Sequence, residues 1–183
     1  TYFMNGNQYQ CVVSGNCPVS VVSAPATLTV TPVIITIAGT VENCAGQFVV
    51  PVTVEHMYEM ASFSLSLNFD NAVLDYAGYQ NVNPLLSSGY IQIGEFNDQV
   101  KAGFFTITPV NIGDGLLFEI LFTSTGGTSA LTWDVATLGN CEYQNFDGGN
   151  ITSQYINGSV IVNPLPTISG SAVDPVLCLG EST

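Results

Sequence analysis

From Ser62 to Phe69 a small polar residue alternates with a large apolar one without interruption. Phe63, Leu65, Leu67 and Phe69 share one side of an extended backbone, and Ser62, Ser64, Ser66 and Asn68 share the other, the period of a strand with one buried face. A helix would scatter those apolar residues around its circumference. Asp70 and Asn71 end the run with side chains that hydrogen-bond to nearby backbone and favour a turn, after which Val73, Leu74 and Tyr76 re-enter a core. Strand-like runs recur over 34–38, 48–55, 61–68, 73–77, 90–94, 104–108, 116–123, 130–136 and 155–162, and no segment carries a convincing helical period. Turn residues at Gly113-Asp114-Gly115, Gly126-Gly127 and Asp147-Gly148-Gly149-Asn150 separate several of them. Nine strands without helices predict an all-β sandwich or jelly roll.

Charge removes whole classes of function. The chain has one Lys (Lys101), no Arg, one His (His56) and 14 acids, a net charge of −13. Nucleic-acid affinity rests on Lys and Arg neutralising phosphates, so DNA and RNA are excluded as partners. An anionic membrane surface would repel the chain, and no apolar run reaches the ~18 residues of a membrane helix, so no membrane insertion is expected. Charged residues make up 8% of the chain, against a usual share of roughly 25%. The solvated surface is therefore built from Ser, Thr, Asn, Gln and Gly, a composition that suits extracellular β-modules. The chain starts without Met or a charged segment leading an apolar one, and so reads as an internal fragment lacking a signal peptide.

Five cysteines in such a chain favour an oxidising compartment. No Cys-x-x-Cys occurs and His56 is remote in sequence from every Cys, which argues against zinc. The odd count leaves at least one Cys without an internal partner, and Cys11 and Cys178, nearest the two ends, are the natural candidates.

Proline seams at Thr31-Pro32 and Asn163-Pro164-Leu165-Pro166 divide the chain into residues 1–32, 33–163 and 164–183. The middle segment is long enough for its own core, whereas the flanks are too short to fold alone. In the first flank, Tyr9-x-Cys11, a turn at Ser14-Gly15-Asn16 and then Ala26 to Val30 resemble the last two strands of an immunoglobulin-like sandwich. There a Tyr stands two residues before a bridging Cys. The C-terminal flank, with strands at Pro166 to Gly170 and around Cys178, resembles the start of a second such domain. The first flank's Cys17 either faces Cys11 across the hairpin or bridges to upstream strands, the second being favoured because Cys11 holds the core-bridge position.

In the middle segment the order Val50-Pro51-Val52-Thr53-Val54, then Leu65-x-Leu67-Asn68-Phe69-Asp70 with Val73-Leu74-Asp75-Tyr76, then Gly115 to Phe122, then Asn157-Gly158-Ser159-Val160-Ile161-Val162 resembles a cohesin domain. The resemblance implies a nine-stranded jelly roll closed by its first and last strands, between two incomplete immunoglobulin-like sandwiches. It also implies a protein partner of the dockerin kind, although no contact motif transfers residue by residue. With the flanks, it implies a large secreted surface protein or adhesin of Bacteroidetes-type bacteria. It further implies a disulfide between Cys44 and Cys141, which would stabilise by at most ~4.7 kcal/mol in the chain-entropy model. Two free buried thiols are the competing reading.

No catalytic constellation emerges. His56 has no nucleophile motif beside it and reads as a rim histidine. Asp70/Asp75 and Glu95/Asp98 are carboxylate pairs of the kind glycosidases use, but turn formation and strand-end solvation explain them more simply. Calcium is a minority use for Asp70, Asp98, Asp114, Asp134 and Asp147; no cofactor is otherwise expected. Trp133, sharing a strand face with Leu131 and Val135, belongs to the core before any glycan. Tyr76, Tyr79 and Tyr90 are candidates for a sugar platform. Asn150-Ile151-Thr152 and Asn157-Gly158-Ser159 match the glycosylation sequon but fit an Asn-rich turn region equally well. The expected function is a non-catalytic structural and adhesive segment of an extracellular bacterial surface protein, contacting its neighbouring domains and, through exposed strand edges, other copies of itself in a filament. The alternative is a module recognising a dockerin-like protein or a glycan.

Overall fold

The computed structural model describes residues 4–15, 20–30 and 33–167. Cys17, Cys178, the Thr31-Pro32 seam and the expected C-terminal immunoglobulin-like strands past residue 167 lie outside the described residues.

In the first flank four short strands pair as a nested antiparallel ribbon. β1 (Gln8–Tyr9) lies against β4 (Ala26–Thr27), and β2 (Val12–Val13) against β3 (Val21–Val22). The Cys11 amide donates to Ser23 Oγ at 3.0 Å. Tyr9 is exposed, as are all four valines of β2 and β3.

From Ile34 the chain alternates between two stacked sheets. In order, β5 (Ile34–Ala38), β6 (Thr40–Cys44), β7 (Gly46–Met57), β8 (Met60–Asn68) and β9 (Asp75–Gln80) lead through a 3-10 turn at Pro84–Ser88 into β10 (Tyr90–Phe96) and β11 (Gln99–Val110). Then follow β12 (Gly113–Ser124), β13 (Gly127–Trp133), β14 (Glu142–Asn145), β15 (Asn150–Ile151), β16 (Ser153–Ile156) and β17 (Gly158–Asn163). One sheet runs β16-β5-β7-β12-β9; the other runs β10-β11-β8-β13-β17-β6, with β14 and β15 beside β8. The two sheets thus hold five and eight strands, thirteen in all against the nine expected. The surplus has two physical sources: β14 and β15 are short and carry no clear alternation, and the first and last strands each break in two.

Those breaks close the jelly roll. β5 pairs parallel with β16 in one sheet, and β6 pairs parallel with β17 in the other, so both terminal strands change sheet, at Gly39 and at Asn157. Gly158 stands where they cross, and a Cβ there would collide with the carbonyl oxygens of Gly39 and Ala38. Only glycine lets the two backbones come that close.

β8 keeps its expected alternation: Phe63, Leu65, Leu67 and Phe69 are buried between the sheets. The Asp70 turn does not fold the chain back as a hairpin. The Val73 and Leu74 amides both donate to the Asp70 carbonyl, and the chain then crosses to the other sheet, where β9 starts at Asp75. Phe69, Phe48 and Tyr76 gather around Phe122, with Phe69 edge-on at 5.1 Å. Further along, Phe63 packs between Phe104 and Tyr143. Each such buried side chain contributes about 1.5–3 kcal/mol. Tyr143 on β14 is fully buried, and its hydroxyl meets Thr36 Oγ1 of β5 at 2.7 Å, a polar tie between the two sheets.

One turn and one strand-face expectation need correction. Gly113-Asp114-Gly115 lies inside β12, at a bulge where the register against β7 shifts. Val135 does not share the strand face of Trp133 and Leu131, because β13 ends at Trp133 and leaves Val135 exposed.

Candidate functional site

The outer face of β10, β11 and β8 is where the surface departs most from a plain solvated sheet. Asn97 and Asp98 both adopt positive φ and join β10 to β11 by a two-residue turn, fixing the register at Phe96 opposite Gln99. That register and the pairing of β11 with β8 set the side chains in rows: Tyr90, Phe105 and Ser62; Gln92, Gly103 and Ser64; Gly94, Lys101 and Ser66; Phe96, Gln99 and Asn68. The rows alternate outward against the buried Phe104, Ala102 and Val100.

The middle rows are built from small residues, so the face dips into a depression of about 370 Å³ whose lining includes Ser64, Gln92, Gly94, Glu95, Phe96, Lys101 and Gly103. Aromatic rings stand at both ends. Tyr90 (58% exposed) and Phe105 (61% exposed) pack ring to ring at 5.7 Å, and Phe96 (61% exposed) stands at the other end with Lys101 Nζ 5.7 Å from its centroid. Ile107, 84% exposed, follows Phe105 in the irregular stretch of β11. The only Lys or Arg side chain of the protein therefore lies in this depression, and no carboxylate forms an ion pair with it among the described residues.

Beyond Phe96 the loop from Asp134 to Cys141 folds against the face. The Asp134 carboxylate accepts from Asn140 Nδ2 at 2.6 Å, Gln99 Nε2 at 3.1 Å and the Thr137 amide at 3.2 Å. Those donors, Asn140 foremost, hold it below the usual carboxylate range. The Asp134 amide and the Cys141 thiol both donate to the Ser66 carbonyl, which accounts for Ser66 being buried on what alternation makes a solvent face.

The expected Cys44–Cys141 bridge is not made; both thiols are free. Cys44 pairs with Asn163 at the Gly127 end of β13, whereas Cys141 bonds Ser66 beside the Trp133 end. The length of β13 between those ends is roughly 20 Å at ~3.3 Å per residue, far beyond the ~7 Å Cα limit of a disulfide. Burial raises the Cys141 thiol above its ordinary pKa.

The calcium candidates do not converge: among the described residues no three acidic, His or Cys side chains form a metal-binding group. Asp70 Oδ1 accepts from the Ala72 amide, Asp114 Oδ1 from the His56 amide, and Asp98 sits in the β10–β11 turn. Asp147 lies in the turn after β14. The carboxylate pairs stay with turns too, Asp70 leaving β8 and Asp75 opening β9, Glu95 on β10 and Asp98 after it. His56 is exposed at positive φ, and among the described residues no nucleophile is bonded to it. Trp133 is buried, its Nε1 donating to the Ile156 carbonyl at 3.0 Å. Asn157 Oδ1 accepts from the Trp133 amide, so this sequon asparagine is engaged in the fold, while Asn150 is exposed.

The three tyrosines do not form one platform. Tyr76 and Tyr79 belong to β9 in the five-stranded sheet, with Tyr76 half-buried on Phe122, and Tyr90 belongs to β10 in the other sheet. Tyr90 finds Phe105 instead. The sequence signal for that pair was the doublet Phe104-Phe105, in which one ring must face outward if the other faces the core.

No family model matches the chain, and no curated protein matches it. Solved structures do. A non-cellulosomal cohesin of the hyperthermophilic archaeon Archaeoglobus fulgidus aligns with a TM-score of 0.62 at 26% identity, covering 72% of this chain and 91% of that one. A type I cohesin of Clostridium thermocellum, solved as a cohesin–dockerin complex, aligns at 0.61 and 17% identity over 76% of this chain and 99% of its own. A type II cohesin from the cellulosome of Acetivibrio cellulolyticus aligns at 0.57 and 10%, over 71% and 95%. The fold of the sandwich is cohesin-like.

Proposed function

We propose that the sandwich is a non-catalytic recognition module whose outer face of β10, β11 and β8 docks a folded protein of the dockerin kind, within a multi-domain protein displayed at a bacterial surface. One observation carries this reading: three exposed aromatic rings border a depression floored by Ser64, Gly94 and Gly103, with Lys101 and Glu95 among its lining residues. Exposed rings around a concave floor are what a binding hot spot needs, since a partner's side chains can desolvate them and fill the space between. The likeness to cohesins, one of them solved with a dockerin, supports a protein ligand over a sugar. The extracellular setting rests on the low charge of the surface and on those same neighbours, one of which belongs to a cell-surface anchoring scaffoldin.

A spacer or adhesive role is the second reading. It is favoured by the first flank, whose exposed Val12, Val13, Val21 and Val22 call for cover by a neighbouring module of immunoglobulin type. The two readings separate in one binding experiment with the full 183-residue chain against a panel of dockerin modules and an oligosaccharide array. The recognition reading expects saturable binding to a protein, weakened about 30-fold by Phe105→Ala, the equivalent of the ~2 kcal/mol of an aromatic hot spot. Silence on both panels favours the spacer. Binding to sugars alone contradicts a protein-docking face.

A further inference from the structure

We infer that two copies of this chain pair through the open edge of β10, forming an antiparallel dimer with one sheet continuous across both sandwiches. β10 ends its sheet, with seven residues in unbroken register against β11. The other sheet edges are poorer templates: β9 is bulged around Gly78, β16 has four residues and β6 five. Natural edges are blunted by Pro, a bulge or charged side chains; β10 has no Pro and no bulge, and Glu95 is its single charged residue.

The hairpin dictates which backbone groups face outward. A two-residue turn with both φ positive closes on a hydrogen-bonded pair, here Phe96 and Gln99. Counting back along the ladder, Gly94, Gln92 and Tyr90 also bond to β11, so the free N–H and C=O groups belong to Glu95, Ile93 and Ile91. No other described residue bonds to those six groups.

β10 is complementary to itself in one register. With Ile93 opposite the partner's Ile93, Ile91 faces the partner's Glu95 and all six outward groups are satisfied; any slip by two residues loses bonds at each end. The same register sets Tyr90 beside the partner's Phe96 in the closer, non-hydrogen-bonded type of pair, twice over, and aromatic pairs are among the stronger cross-strand contacts. The two-fold contact uses one patch on both copies and closes at two, so it predicts a dimer rather than a filament. Each copy carries a charge of −13, so association strengthens as salt shortens the screening length from about 10 Å at 0.1 M to 3 Å at 1 M.

Sedimentation velocity on the full chain, from micromolar to millimolar and from low salt to 1 M, is expected to show a reversible monomer–dimer equilibrium whose dissociation constant falls about tenfold across the salt range. Glu95→Pro removes one outward N–H and no bond to β11, so it is expected to abolish the dimer while the circular dichroism spectrum is kept. Should that variant fail to fold, Tyr90→Ser leaves every backbone bond in place and is expected to weaken the dimer at least tenfold. In a Tyr90→Cys, Phe96→Cys chain, oxidation is expected to link residue 90 of one copy to residue 96 of the other, read by peptide mapping. Monomer at every concentration and salt overturns the inference, as does a dimer undiminished in these edge variants or a cross-link in another register.

Discussion

Replacing Thr36 by Val tests how the two sheets are tied together. Thr36 Oγ1 and the Tyr143 hydroxyl meet at 2.7 Å, both residues having no exposed surface. Val nearly matches Thr in volume, so Thr36→Val opens no cavity; it deletes one partner and strands the Tyr143 hydroxyl in an apolar site. A buried donor left unmatched costs about 1–3 kcal/mol, and for a domain of this size 1 kcal/mol lowers the Tm by roughly 3–5 °C. We therefore expect Thr36→Val to lower stability by about 2 kcal/mol and the Tm by about 6–10 °C. Tyr143→Phe alone strands the Thr36 hydroxyl and is expected to cost about 1 kcal/mol. The double variant replaces both partners with apolar groups, so its loss should fall below the sum of the two by about 1 kcal/mol or more. Urea unfolding followed by tryptophan fluorescence measures all four proteins. If Thr36→Val lies within about 0.5 kcal/mol of the parent, or the two losses simply add, the bond carries no net stabilisation and the cross-sheet tie is refuted.

Burial, opposed by the Ser153 hydrogen bond, pushes the Tyr155 phenol up to about 12, and burial raises Tyr143 further. Because the folded values exceed the unfolded value of about 10, this stability is fully present below pH 10 and is lost as pH rises toward 12. Tyrosinate absorbance should accordingly rise in two stages, the later one coinciding with loss of the fold; ionisation of all tyrosines at their ordinary pH in a still-folded chain contradicts the burial. Thiol labelling of the native, non-reduced protein should modify the exposed Cys11 and Cys44 quickly and Cys141 slowly. A Cys44–Cys141 peptide in the unlabelled digest would contradict the separation of the two ends of β13.

The long strands were legible because period-two alternation survives wherever one face is buried and the other wet. Runs such as 34–38 and 61–68 have this character, and so does the half-buried β7. β14 was not legible. In Glu142-Tyr143-Gln144-Asn145 a single apolar residue is buried, and its hydroxyl is matched by Thr36, a residue 107 positions earlier that the sequence cannot place. The sheet switches at Gly39 and Asn157 were hidden for a similar reason: a strand that crosses between sheets keeps its alternation on both sides of the break. The disulfide came from the resemblance, and spacing along the chain says nothing about which end of a sheet a cysteine reaches. Lys101, the lone Lys in a chain without Arg, was visible, but its place in the depression depends on the register fixed by Asn97 and Asp98, and so does the meeting of Tyr90 with Phe105.

The docking face is tested most directly by amide hydrogen exchange on the full chain with and without a dockerin module that it binds. The account predicts new protection confined to residues 62–66, 90–96 and 101–105, lost together with binding in Phe105→Ala. Protection that falls instead on the outer face of β7, β12 and β9, around Glu119 and Tyr79, would contradict it.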